Sequence, residues 1–132
     1  MYTFDHVKPQ WILRISLGAM YLYSGFSLFL YPSSWQWAFP YWLRQIIVQF
    51  VTINSYLTFQ GMVEIIMAVS LLAWFLKPAV VRWVALLSAF EMAAILMLAL
   101  FPFNGTNFLI TFRDVGILGA SLALFFILSQ QV

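Results

Sequence analysis

Cysteine is absent from this chain of 132 residues, and charged side chains make up only 8% of it. The first absence excludes thiol–disulfide chemistry, thiolate-ligated clusters and stapled loops, so redox work would need a bound cofactor or another subunit. The second excludes an ordinary soluble domain, in which about a quarter of residues are charged. With 64% of the residues hydrophobic, a soluble fold this short has too few polar residues to cover its outside. Histidine is scarce too. His6 is the single one and precedes the first apolar run, which excludes a bis-histidine haem within the chain and the two-histidine, four-carboxylate pattern of a bundle di-iron site. No metal site is expected. The net charge of +2 is spread thinly and forms no basic patch, so no nucleic-acid partner is implied.

What remains is an all-α integral membrane protein, a single transmembrane domain over residues 1–132. No small-residue cleavage site follows the first apolar run, so the first span is expected to be retained. Apolar runs of about the length needed to cross a bilayer predict spans at 11–31, 57–76, 79–101 and 108–128. Lys77-Pro78 separates the second from the third, and the turn sequence Pro102-Phe103-Asn104-Gly105 separates the third from the fourth. Such short links make neighbours antiparallel, and the simplest topology is a four-helix up-down bundle. The stretch 33–55 is different. It gathers Trp35, Trp37, Tyr41 and Trp42 beside Arg44, Gln45 and Gln49, an interfacial composition, with 41–51 able to form an amphipathic helix in the membrane plane. An aromatic belt is the favoured reading, a lid over a lateral entrance the other. Lys8, Arg14, Lys77 and Arg82 flank one side of the bundle. The positive-inside rule then puts both termini in the cytoplasm, across the cytoplasmic (inner) membrane. Asn104-Gly105-Thr106 has the form of a glycosylation sequon and reads as a turn.

Glu64, Glu91, Arg113 and Asp114 fall inside the spans, where each costs at least about 2.5 kcal/mol at the centre of an isolated helix. They are expected to face inward and find one another. Counted from the predicted spans, Glu64 lies about 10 Å deep from the outer side, with Arg113 and Asp114 similar and Glu91 nearer the middle. This places a cluster in the outer half of the bundle. An Arg113–Glu64 ion pair is its expected core, Asp114 points away by helical phase, and Glu91 is the expected protonated member. Such a cluster is either a lock on helix register or a site for a ligand, a proton or a quinone headgroup, or else a subunit contact. Tyr21 and Tyr23 either hydrogen-bond a quinone carbonyl or line the bundle, and lining is favoured. Gly18, Gly25 and Gly61, together with Gly116 and Gly119, are the expected helix-packing positions, since small residues let membrane helices approach closely. Arg14 reads as an anchor snorkelling to the interface, and the intramembrane methionines read as packing.

Arg14-Ile-Ser-Leu-Gly18 with Ser24-Gly25, Gly61-Met-Val-Glu64, and Phe112-Arg113-Asp114-Val-Gly-Ile-Leu-Gly119-Ala120 together resemble the DoxX-like family of small four-span membrane proteins. The matched residues are Arg14, Gly18, Gly25, Gly61, Glu64, Arg113, Asp114 and Gly119, and their order covers nearly the whole chain. Ser27 stands where members often carry lysine. The resemblance implies a four-helix membrane bundle. It also implies kinship with proteins that include a subunit of a thiosulfate:quinone oxidoreductase and components of membrane oxidative-stress or sulfur-metabolism complexes.

The expected function is therefore a membrane subunit of a quinone-linked oxidoreductase or redox-associated assembly, without independent catalytic activity. Its expected partners are the lipid bilayer and other membrane or redox subunits. Its ligand would be a quinone or lipid, and no cofactor is attached covalently. The alternatives are a structural or assembly subunit of a larger respiratory or photosynthetic complex and a small proton-coupled carrier. The carrier is the weakest, because the sequence has no inverted repeat and no Gly/Pro-broken span.

Overall fold

The computed structural model describes residues 8–100 and 114–132, the side chains of 99 and 100 excepted. The Pro102–Gly105 turn, the Asn104 sequon, His6 and Arg113 lie outside the described residues. Every regular element among the described residues is helical: α1 (Pro9–Leu30), a 3-10 segment (Pro32–Ala38), α2 (Tyr41–Val48), α3 (Ile53–Leu72), α4 (Pro78–Leu100) and α5 (Asp114–Ser129). Helices α1, α3 and α4 are each long and apolar enough to cross a membrane; α5 is shorter, with 16 residues.

Helix ends follow local chemistry. Proline opens both α1 and α4, at a position whose N–H has no intrahelical partner to lose. Helix α3 begins four residues before the expected span, because Thr52 caps it: its Oγ1 accepts the Ser55 N–H at 3.2 Å. It also ends four residues early. Ala73 is already extended at ψ 109°, and Trp74 to Leu76 form the link to Lys77-Pro78, where a residue before proline disfavours helix.

The packing is inverted relative to a soluble protein. Arg14 and Glu64 are 2% and 3% exposed, whereas Phe90 is 67% and Trp74 81% exposed, the distribution of a chain whose outer surface meets hydrocarbon. Buried positions recur at spacings of three and four, as in Arg14, Leu17, Gly18, Tyr21 and Gly25 of α1 and Leu57, Gly61, Glu64, Ala68 and Leu71 of α3. Helix α1 packs chiefly on α3 and α4 on α5, while contacts of α1 with α5 and α3 with α4 close a ring. Both main seams are antiparallel: Gly25 meets Gly61 while Gly18 meets Ala68, and Trp83 meets Phe125 while Ser88 meets Ser121. Hydroxyls that face away from the core satisfy themselves within their own helix, as Ser70 does by donating to the Ile66 carbonyl at 2.8 Å.

The aromatic stretch folds over the α1–α3 end of the ring and buries none of its own residues. Trp35 donates its indole N–H to Ser27 Oγ at 2.9 Å and stacks on Trp37, and Gln36 bonds Asn54 at 2.7 Å. A helix forms over the first eight residues of the expected amphipathic stretch, 41–48.

Two expectations about helix faces are corrected. Gly116 and Gly119 do not pack: among the described residues nothing lies within 4 Å of where a Cβ would stand. Helix α5 instead buries Ser121, Leu124 and Leu128, a face turned about 120° from the glycine stripe at 3.6 residues per turn. The large side chains bury more area and Ser121 finds a partner, so they win the inward face. Arg14 does not snorkel either. It is buried, donating from Nε to the Leu71 carbonyl at 2.7 Å and from Nη2 to the Ala73 carbonyl at 2.6 Å, with its guanidinium 4.1 Å from the Trp11 ring centre. A cation at the negative end of α3 closes carbonyls that the helix leaves open.

Candidate functional site

A band of polar side chains crosses the middle of the ring, with a contribution from each of its four helices. Tyr21 and Ser24 come from α1, Gln60 and Glu64 from α3, Ser88 and Glu91 from α4, and Ser121 from α5. Helical periodicity makes this economical, because residues three or four apart share a face. Tyr21 and Ser24 are such a pair, as are Gln60 and Glu64, and Ser88 and Glu91.

The band has two connected parts. In the first, the Tyr21 hydroxyl hydrogen-bonds the Ser88 hydroxyl, and Ser88 Oγ lies 2.8 Å from Ser121 Oγ. All three are fully buried, at 0% exposure. Tyr21 thereby reaches across the ring to the opposite helix, and a chain of hydroxyls joins α1, α4 and α5. In the second, Gln60 donates its amide N–H to Glu91 Oε1 at 2.6 Å. Glu64 has Glu91, Ser24 and Gln60 within side-chain hydrogen-bonding reach. In hydrocarbon an unmet polar group costs several kcal/mol, so such groups gather rather than scatter.

The structure brings together Glu64, Glu91 and Tyr21. Asp114 opens α5 half-buried and is close enough to act electrostatically on the Tyr21 hydroxyl, as the two glutamates do. Glu64 is the twelfth of twenty residues in α3 and Glu91 the fourteenth of twenty-three in α4, so both sit near the middle of their helices. Arg113, the expected partner of Glu64, lies outside the described residues. Tyr23 is 80% exposed and takes no part.

Ser88, Ser121, Ser24 and Gln60 were missed by sequence reasoning centred on charge. Their signal was present as spacing, each of Ser88, Ser24 and Gln60 standing one turn from Glu91, Tyr21 or Glu64.

Beside the polar band, the α1–α5 contact leaves a cleft of about 280 Å³ lined by Leu13, Ser16, Leu17, Met20, Gly116, Ile117 and Ala120. Gly116 keeps it open by having no side chain. Among the described residues no group of acidic, histidine or cysteine side chains could hold a metal ion. The chain matches no protein-family model, no curated protein and no solved structure.

Proposed function

We propose that this chain is a four-span bundle of the DoxX-like kind and acts as a membrane subunit of a quinone-linked redox assembly, holding an isoprenoid quinone at the α1–α5 cleft. The cleft carries this reading. An apolar trough between two helices, opening to the lipid, suits a ligand with a hydrocarbon tail, the usual form of a pocket between bundle helices. The tail would lie along Leu13, Leu17 and Met20, where Gly116 and Ala120 leave room. The head would lie beyond Met20 and Gly116, toward Asp114 at the start of α5. Electron transfer would belong to partner subunits. The fourth span would consist of α5 with the residues that precede it. Lys8, Lys77 and Arg82 lie at one end of the ring and would place both termini in the cytoplasm, across the inner membrane; Arg14, being buried, adds little to that count.

The test is to fill the cleft. Gly116→Leu projects a side chain into open space and leaves the fold intact. Quinone extracted with the purified protein from native membranes should fall at least tenfold per folded chain. Unchanged quinone in the folded variant would rule the cleft out as its site.

A second reading, a structural subunit of a larger complex, draws support from the exposed aromatics Trp74, Phe75, Trp83, Phe90 and Phe126. A surface of this kind packs equally well on a neighbouring subunit or on lipid. Gentle extraction distinguishes them, because a subunit migrates with partners and a free bundle alone.

A further inference from the structure

We propose that Glu64 and Glu91 form a proton-binding site inside the membrane, holding a proton between their carboxyl groups at neutral pH. The inference goes beyond the quinone reading and does not rest on it. Glu64 is 3% exposed, and its Oε2 is buried without any hydrogen-bond donor. A carboxylate oxygen left so in hydrocarbon carries the full cost of desolvation. The Glu91 carboxyl is the acidic group within its reach, and it accepts from Gln60 through Oε1. Two ionised carboxylates in this position are both acceptors and both negative, so nothing bonds them and their charges repel.

One proton reverses this. Taken up from water by either carboxylate, it makes an O–H group that donates to the other, removes one of two buried charges and meets the orphaned Oε2. No electron moves and no other bond breaks. Among the described residues the other titratable groups nearby are Tyr21 from α1, on whose hydroxyl both glutamates act, and Asp114 from α5, which acts on the same hydroxyl. Neither can be a cation, and no lysine or arginine among the described residues reaches either glutamate. Ser24 and Gln60 complete the surroundings with polar hydrogens, which suit a single residual negative charge.

The sequence supplies a clean test, because Glu64 and Glu91 are its only glutamates. The protein is produced with isotopically labelled glutamate carboxyl carbons, placed in phosphatidylcholine vesicles at neutral pH and examined by infrared spectroscopy without any substitution. The expected result is a carbonyl band of a protonated carboxyl group that moves on labelling and moves again in heavy water. A label effect confined to ionised carboxylate bands would overturn the proposal. The quinone reading is read out separately, by the quinone extracted with the Gly116→Leu variant, which leaves both glutamates in place.

Discussion

The α1–α3 seam and the α4–α5 seam both join antiparallel helices, yet they do so by different means. Along α1–α3 backbones touch: a Cβ on Gly61 would stand 2.7 Å from the Gly25 carbonyl oxygen and 2.7 Å from the Phe29 nitrogen. Arg14 then fastens the end of that seam through two carbonyls of α3. Along α4–α5 the helices are held by side chains, with leucines, the Ser88–Ser121 hydroxyl pair and the Trp83–Phe125 contact, and the glycines of α5 face outward. In lipid, where burying apolar surface against another helix gains little, close packing and buried polar contacts are what remain to hold helices together. The first seam uses mainly close packing and the second mainly side-chain contact. The cleft opens where the two kinds of surface meet, at α1 against α5.

The sharpest way to break this contrast is Gly61→Ala. Its new methyl group meets the backbone of Gly25 and Phe29, so the helices themselves must separate, and a forced shift of packed backbone costs about 3 kcal/mol. Denaturation of the protein in mixed detergent micelles should show a loss of that size. A loss below about 0.5 kcal/mol, the range of a surface change, would mean that α1 and α3 are not in backbone contact.

Arg14→Ala should come next, at about 2 kcal/mol, the worth of hydrogen bonds from a charged donor to buried acceptors. The partner variant Arg14→Lys separates charge from geometry. A single ammonium cannot span the Leu71 and Ala73 carbonyls as the planar fork does, so lysine should restore less than half of the loss in the same titration. Full rescue would show that any cation at the α3 terminus is enough, through the helix dipole alone.

The same two seams show why part of the structure was legible in the sequence and part was not. Apolar runs, prolines and the Trp-rich stretch announce helices and their order, because length and composition set them directly. The inward face of α1 and α3 was legible as well, since Gly18, Gly25, Gly61 and Glu64 repeat at helical spacing. Helix α5 misled for a physical reason: its small-residue stripe and its Ser121–Leu124–Leu128 stripe are both periodic, and periodicity does not say which one turns inward. Arg14 misled because its position near a helix start fits an interfacial anchor, while its true partners are carbonyls fifty-seven and fifty-nine residues away. The polar band was half visible. Glutamates stand out in hydrocarbon, but Ser88, Ser121 and Gln60 acquire meaning only through partners on other helices.

Gly119→Ala is the smallest expected effect and completes the comparison, because it makes the chemical change of Gly61→Ala on the other seam. Nothing among the described residues lies within 4 Å of the added Cβ, so no packing term opposes it. Alanine also restricts the unfolded backbone more than glycine does, which favours the helix. The two terms leave a change within about 0.5 kcal/mol, of either sign, by the same micelle titration. If Gly119→Ala were instead to destabilise the protein as Gly61→Ala does, the open face of α5 would have to be covered in the membrane. A loss that deepens as protein is concentrated within the micelles would identify the cover as a second copy, whereas a loss independent of concentration would place it within the chain.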